Sequence, residues 1–130
     1  MSSKAENRAL VTEVLSGPYW QPAYAHRFTE DFALELPYAP PGMPQNLCRG
    51  QTEAHFLWLA KSVKRWAVEP DSLEVYGMKD DPDLFWVVRI AGGDVHWGGQ
   101  DGQFSSRFVT KVELRDGKIC RMKEFSDPLA

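Results

Sequence analysis

The sequence has little of what marks several large classes of protein. Its two cysteines, Cys48 and Cys120, fit neither a metal-binding nor a redox spacing, and its three histidines are too scattered to form a zinc set. A reduced, cytoplasmic location is therefore expected. No apolar run approaches the roughly 20 residues that cross a bilayer, and residues 1–6 have no signal-peptide core, so no membrane association is expected. A net charge of −3 without any basic run argues against a nucleic-acid partner.

Aromatic residues, by contrast, are abundant. Five Trp, four Tyr and seven Phe are many for 130 residues, and they suit either an aromatic-lined cavity or a large subunit interface. Hydrophobic residues make up 43 % and charged residues 25 %, which is the balance of a globular chain rather than of a disordered one. The length predicts a single domain over residues 1–130 with one core.

Two helices are predicted near the start of the chain. Ser3 and Glu6 are spaced as a capping box, apolar residues follow at helical spacing, and Gly17 ends the segment. A short second helix is predicted from Pro22 to about Phe28, because proline is accepted in the first turn of a helix.

The pattern then changes to a strand, a loop and a third helix. Residues 31–38 alternate with period two, which predicts a strand, and the proline-rich residues 39–44 predict a loop. The third helix is predicted from about Thr52 to about Trp66. Its buried arc is predicted to consist of Phe56, Leu59, Ala60 and Val63.

The second half of the chain is predicted to be strands throughout. They are 73–78, 84–90, a ragged hairpin around 95–97 between two glycine pairs, 104–114 and 118–126. A tight Asp116-Gly117 turn joins the last two. The order predicts an α+β fold with three N-terminal helices on one face of a curved, mostly antiparallel sheet. Because residues 84–88 are apolar on both faces of their strand, the other face is expected to meet a second copy of the chain in a homodimer.

Glu124, on the last strand, is the strongest candidate for chemistry. Side chains of a strand alternate between its two faces, which puts Arg121 and Lys123 on the face opposite Glu124. The residues predicted to share its own face are Cys120, Met122 and Ser126. Two interpretations follow. Glu124 is either an exposed carboxylate paired with one of those cations, or a carboxyl kept dry, whose pKa burial would raise toward neutrality so that it both gives and takes a proton.

Other titratable residues are weaker candidates. Glu35, with Asp31 nearby, is the main rival acid, although the alternation of its strand favours a solvent-facing side chain. His55 borders the apolar arc of the third helix. Such a histidine is often a hydrogen-bonded core residue, but an ordinary pKa near 6.5 suits it to proton transfer. Arg27, Arg89 and Arg107 are candidates to bind an anionic substrate, because a guanidinium can hold a carboxylate with two hydrogen bonds.

Several segments resemble a known family. They are residues 49–50, 55–58, 80–87, 108–114 and 116–125, with Asp-Asp-Pro followed by Phe-Trp-Val as the most specific part. These segments resemble the PhzA and PhzB proteins of phenazine biosynthesis, within the SnoaL-like proteins of nuclear transport factor 2-like fold. That fold is a cone closed by helices over a strongly curved sheet. The chain departs from the family in its shorter termini, a small gap in the helix of His55 and its own loop at 40–44.

The resemblance implies a function and a site. By position Glu124 and His55 match the family's acid–base pair, which implies imine formation between two small amino-ketone carboxylates, or a related cyclisation or isomerisation, without a cofactor. A ketone or an aromatic carboxylate is the expected ligand. Besides Arg27 and Arg107, the substrate-binding candidates are Trp58, Ser62, Trp97, Phe104 and Met122. The alternative from the same aromatic excess is a non-catalytic module that binds a small apolar ligand or a partner.

Overall fold

A computed structural model describes residues 3–37, 46–47, 49–97 and 99–128, with the backbone alone at 46, 49, 97, 127 and 128. The predicted loop at 39–44 and Cys48 lie outside these residues. Within the described part, no helix is long and apolar enough to cross a membrane.

Two α-helices and two short 3-10 helices are present among the described residues. Helix α1 spans Lys4–Leu15 and begins at the predicted capping box, in which Ser3 and Glu6 each bond the other's backbone amide at 3.1 Å. The predicted second helix is a 3-10 helix at Pro22–Arg27, and another 3-10 turn lies at Pro70–Ser72.

Helix α2 spans Arg49–Ser62, so the prediction that this helix continues to Trp66 is wrong. Strand β3, Val63–Val68, begins at the next residue. Val63 pairs with Val95 and Trp66 with Gly93, so backbone hydrogen bonds to a neighbouring strand replace the helical ones. Tertiary pairing here overrides the local helical pattern.

The strands form one mixed, mostly antiparallel sheet, which confirms the α+β class. Besides β3 they are β1 Phe28–Glu35, β2 Asn46–Leu47, β4 Glu74–Met78, β5 Asp81–Trp97, β6 Gln100–Arg115 and β7 Lys118–Pro128. Their order is β2-β1-β7-β6-β5-β3, with β4 paired to β5. Only the β1–β7 pair is parallel among the described strands.

Strand β5 is continuous, whereas a break at Gly92-Gly93 was predicted. A Cβ atom on Gly93 would overlap the backbone carbonyl oxygen of Arg65 on β3. The glycine therefore permits two strands to approach closely rather than ending one of them.

A β-bulge changes which residues of β7 face the core. Leu114 of β6 pairs with Ile119, but Glu113 pairs with Arg121, which leaves Cys120 as the extra residue. The Cys120 thiol donates instead to the backbone carbonyl of Glu113 at 3.4 Å. Ile119, not Cys120 as predicted, therefore shares the buried face with Met122 and Glu124.

Both α-helices pack on the same face of the sheet, as predicted. Val11, Val14 and Leu15 of α1 are fully buried, and Phe56 and Leu59 of α2 pack against the same core. The sheet residues that are buried in this core are Phe32, Leu34, Leu47, Val63, Phe85, Val87, Val95, Val112, Leu114, Ile119 and Met122. Glu124 lies on the edge of this core because it continues the alternation of Met122.

Candidate functional site

The Glu124 carboxyl is held at one oxygen by two side chains. It lies opposite Thr110 of β6, which in turn lies opposite Val87 of β5, and its side chain is 12 % exposed. Oε2 accepts hydrogen bonds from the Tyr19 hydroxyl at 2.8 Å and from Nη2 of Arg89 at 3.3 Å. Among the residues the structure describes, none bonds to Oε1.

Arg89 supplies a cation from inside the core. It follows Phe85 and Val87 on the buried face of β5 and is only 1 % exposed. Its Nη1 donates to the Thr110 hydroxyl at 3.0 Å, and its guanidinium carbon lies 4.8 Å from the centre of the Phe108 ring. A buried charge is costly unless it is paired, so Glu124 is the counter-ion that makes this burial tolerable.

Tyr19 reaches Glu124 from the segment that follows α1. Its ring is enclosed by Trp20, Phe28 and Phe56, at centroid distances of 5.3, 6.5 and 5.7 Å. Burial, followed by the nearby Glu124 charge, raises the pKa of Tyr19 well above its usual value. The phenol therefore stays protonated at neutral pH and acts as a fixed hydrogen-bond donor.

His55 lies within the electrostatic reach of Glu124. It is half-buried on α2, and its ring is 5.8 Å from that of Trp58. Burial lowers the pKa of His55, and the Glu124 charge only partly opposes that effect. The imidazole is thus neutral at pH 7 and able to accept a proton. No direct hydrogen bond joins it to Glu124 in the described part of the chain.

The other residues that were predicted to bind substrate differ in burial and in their position relative to Glu124. Met122 is fully buried two residues before Glu124 and on the same face. Ser62 is buried at the end of α2, while Trp58 is 44 % exposed beside His55. The ring centres of Phe104 and Trp66 are 5.7 Å apart, and those of Trp66 and Phe108 are 5.9 Å apart. Phe108 is the ring that Arg89 contacts. The side chain of Trp97 lies outside the described residues.

Two arginines predicted to bind substrate do not join the cluster. Arg107 is exposed on the sheet face opposite Glu124, because it alternates with the buried Phe108. Arg27 pairs with Glu13 of α1 at 2.8 Å and borders a groove that reaches Gly117. Gly117 is seven residues before Glu124, which is roughly 20 Å along a strand. Neither arginine therefore contacts Glu124 among the described residues, and their role in substrate binding stays a prediction.

The rival acids are engaged elsewhere. Glu35 forms ion pairs with Arg121 at 3.7 Å and Lys123 at 4.0 Å, on the face of β7 opposite Glu124. Asp31 pairs with Arg115 at the surface. Arg121 and Lys123 therefore pair with Glu35, whereas Glu124 is largely buried and pairs with Arg89. The interpretation of Glu124 as an exposed carboxylate paired with Arg121 or Lys123 is wrong.

Sequence reasoning missed Tyr19 and Thr110 and did not connect Arg89 with Glu124. Arg89 could have been found, because an arginine that alternates with Phe85 and Val87 needs a buried partner. Tyr19 carried no such signal, since it lies in an irregular segment without periodicity.

Comparison with known protein sequences found a family model and individual relatives that match this chain. The family model described as phenazine biosynthesis protein A/B matches residues 16–130. Phenazine biosynthesis protein PhzB1 of Pseudomonas aeruginosa is 30 % identical over 126 residues, which covers 94 % of this chain and 75 % of that protein.

Solved structures agree on the fold. The crystal structure of a phenazine biosynthesis-related protein from Pseudomonas aeruginosa is similar with a TM-score of 0.79 at 26 % identity, covering 95 % of this chain and 80 % of that one. An NTF2-like protein from Burkholderia xenovorans is similar with a TM-score of 0.68 at 19 % identity, covering 98 % and 92 %. The second likeness supports the nuclear transport factor 2-like fold alone.

Proposed function

The chain belongs to the phenazine biosynthesis protein A/B family, and we propose that it condenses small cyclic ketones by acid–base chemistry at Glu124 and His55. The proposed reaction is imine formation between amino-ketone carboxylates, or a related cyclisation or isomerisation, and it uses no cofactor. We also propose that the sheet curves strongly and forms a cone around this site. Among the described residues, no group of three or more His, Cys, Asp and Glu gathers as a metal site.

One observation carries the proposal. Glu124 is a largely buried carboxylate with one oxygen held by Tyr19 and Arg89 and the other without a described partner. His55 lies close enough to sense its charge, and burial lowers the pKa of that imidazole. A carboxylate and a neutral imidazole within electrostatic reach of each other can take up and return protons at neutral pH.

Imine formation needs two proton transfers that this pair can perform. The carboxylate of Glu124 takes a proton from the substrate ammonium, and the free amine attacks the carbonyl carbon of the ketone. As the nitrogen–carbon bond forms, the carbonyl π electrons move to oxygen. His55 accepts a proton from that nitrogen and donates one to the oxygen, which gives a hemiaminal.

The second half of the reaction returns the first proton. Protonated Glu124 donates to the hemiaminal hydroxyl, the carbon–oxygen bond breaks, and water leaves. An iminium remains, and Glu124 is again a carboxylate beside Arg89. The sum is one ammonium plus one ketone giving one iminium plus water, so protons and atoms balance.

The test is turnover of cyclic 2-amino ketones, with and without a ring carboxylate, followed as loss of water by mass spectrometry. In Glu124→Gln we expect turnover to fall by about 100-fold or more, because general acid–base catalysis contributes at least that much. The amide keeps an oxygen that accepts from Tyr19 and Arg89, so folding and ligand binding should survive.

Glu35→Gln is the matched control, since Glu35 lies on the adjacent strand but pairs with cations on the opposite face. It should retain wild-type turnover. Wild-type turnover in Glu124→Gln would eliminate the mechanism. Binding of an aromatic carboxylate without any turnover, unaffected by Glu124→Gln, would instead identify a non-catalytic module, which the aromatic cluster around Tyr19 favours as the second candidate function.

We also propose that the sheet face turned away from the helices binds a second copy of the chain. Val88, Val109 and Phe125 lie directly opposite one another on β5, β6 and β7, and they form an apolar row on that face. Trp86 and Tyr76 extend this row onto β4, where Tyr76 is 54 % exposed. An apolar row of this kind on a sheet face favours a two-fold partner.

A further inference from the structure

The two oxygens of Glu124 are not equivalent. Both donors, Tyr19 and Arg89, bond to Oε2, at 2.8 and 3.3 Å. Glu124 has no bond at Oε1 from any residue in the described part of the chain. The terminal torsion of a glutamate is soft, so an unrestrained carboxyl could exchange its oxygens freely. Here an exchange would break one ion pair and one hydrogen bond at once.

Each donor is itself fixed. Arg89 is fully buried, its other terminal nitrogen bonds Thr110 at 3.0 Å, and its guanidinium carbon lies over Phe108. Tyr19 is enclosed by aromatic rings and stays protonated. Oε2 therefore receives two donors that cannot leave without disrupting the core, and a proton added at Oε2 would displace one of them.

From this geometry we propose that Tyr19 and Arg89 are positioning residues that occupy Oε2 of Glu124 and leave Oε1 as the oxygen that exchanges protons with the substrate. The inference rests on the proposed function and deepens it. It also sets the order of the cycle. A carboxylate paired with a buried guanidinium begins as a proton acceptor, so proton removal precedes proton donation.

The kinetic test uses Tyr19→Phe, which removes one donor and keeps the ring. With any ketone that the wild-type protein converts, we expect kcat to fall about 10- to 100-fold and KM to change little. This loss of rate corresponds to the free energy of one hydrogen bond to a charged group. The titratable and charged groups that interact with Glu124 among the described residues are Tyr19, Arg89 and His55. The pH–rate profile is recorded with kcat and KM, and it should differ between Tyr19→Phe and the wild-type protein because a donor to the catalytic carboxyl is lost.

Tyr24→Phe is the matched control, because it removes the same hydroxyl from a half-buried tyrosine on the 3-10 helix Pro22–Arg27, which has no hydrogen bond to Glu124 among the described residues. It should leave both kcat and the pH–rate profile unchanged. A Tyr19→Phe protein with the kcat and profile of the wild type would overturn the proposal.

A second measurement does not depend on turnover. Carbon-13 labelling of the tyrosine rings allows each phenol to be titrated by NMR, and the Tyr19 signal is assigned by its loss in Tyr19→Phe. Because the Glu124 charge helps to raise the pKa of Tyr19, Glu124→Gln should lower the pH at which this signal titrates, while that of Tyr76 stays in place.

The two measurements separate the inference from the proposed function. If no ketone is converted but the Tyr19 signal responds to Glu124→Gln, the contact at Oε2 stands and the proposed function alone fails. A Tyr19 signal that titrates identically in both proteins overturns the inference, whatever the turnover.

Discussion

At the scale of single residues, the central feature is a guanidinium that the chain buries among apolar side chains. Arg89 is as buried as its neighbours Phe85 and Val87, and its contacts are Glu124, Thr110 and the face of Phe108. Removing one partner of such a pair leaves an uncompensated charge, which costs more than the pair itself contributes.

Arg89→Met is therefore expected to lower the free energy of unfolding by about 3–5 kcal/mol. The double variant Arg89→Met/Glu124→Gln should recover part of this loss, because the stranded carboxylate is gone, with a coupling of about 0.5–3 kcal/mol. Urea unfolding of the four proteins measures both quantities.

Arg65→Met is the control for this cycle. Arg65 also forms an ion pair, with Asp94 at 3.2 Å, but its side chain is largely exposed. An exposed pair contributes little, so this variant should stay within about 1 kcal/mol of the wild type. Equal stability of Arg89→Met and the wild-type protein, or a double variant no more stable than Arg89→Met, would contradict the account of a buried pair.

Residue-scale prediction from the sequence succeeded where strand alternation was enough. It placed Met122 with Glu124 and put Arg121 and Lys123 on the other face. It failed at Cys120, because a bulge depends on how two strands pair and leaves no mark in either strand alone. The partnership of Glu124 with Tyr19, 105 residues away, was equally invisible, since only the fold brings them together.

At the scale of elements, local signals predicted helix starts and turns better than ends and breaks. The capping box set the start of α1, and the Asp116-Gly117 turn is present with φ of 53° and 79° at its two residues. Both values lie in the left-handed region, which favours glycine and tolerates aspartate, so the sequence signal has a direct physical cause.

The end of α2 and the continuity of β5 were mispredicted for one shared reason. Val63 and Trp66 continue a helical pattern, and Gly92-Gly93 looks like a break, but these segments pair with each other. Gly93 admits the β3 backbone, Gly92 admits that of β6 at Phe104, and the pairing with β3 turns the end of the helix into a strand. Neither segment contains this information without the other.

At the scale of the whole molecule, the helices cover one face of the sheet, and the other face carries the apolar row of Val88, Val109 and Phe125. If that face binds a second copy, Val109→Lys should convert the protein from a dimer to a monomer, because it places a charge in the centre of the apolar row. Sedimentation equilibrium measures the change.

Ala54→Lys on α2 serves as the control for the added charge, since Ala54 is exposed on the helical side. It should sediment as the wild-type protein does. A wild-type protein that sediments with the mass of one chain at micromolar concentration would contradict the proposed dimer.

The most direct test of the site is a crystal structure with 2-aminobenzoate, a planar and unreactive relative of a cyclic 2-amino ketone carboxylate. We predict that its amine lies within about 2.6–3.2 Å of Oε1 of Glu124 and beside His55, while Tyr19 and Arg89 keep their bonds to Oε2. A ligand bound away from Glu124, or one that takes Oε2 from its two donors, would contradict the account.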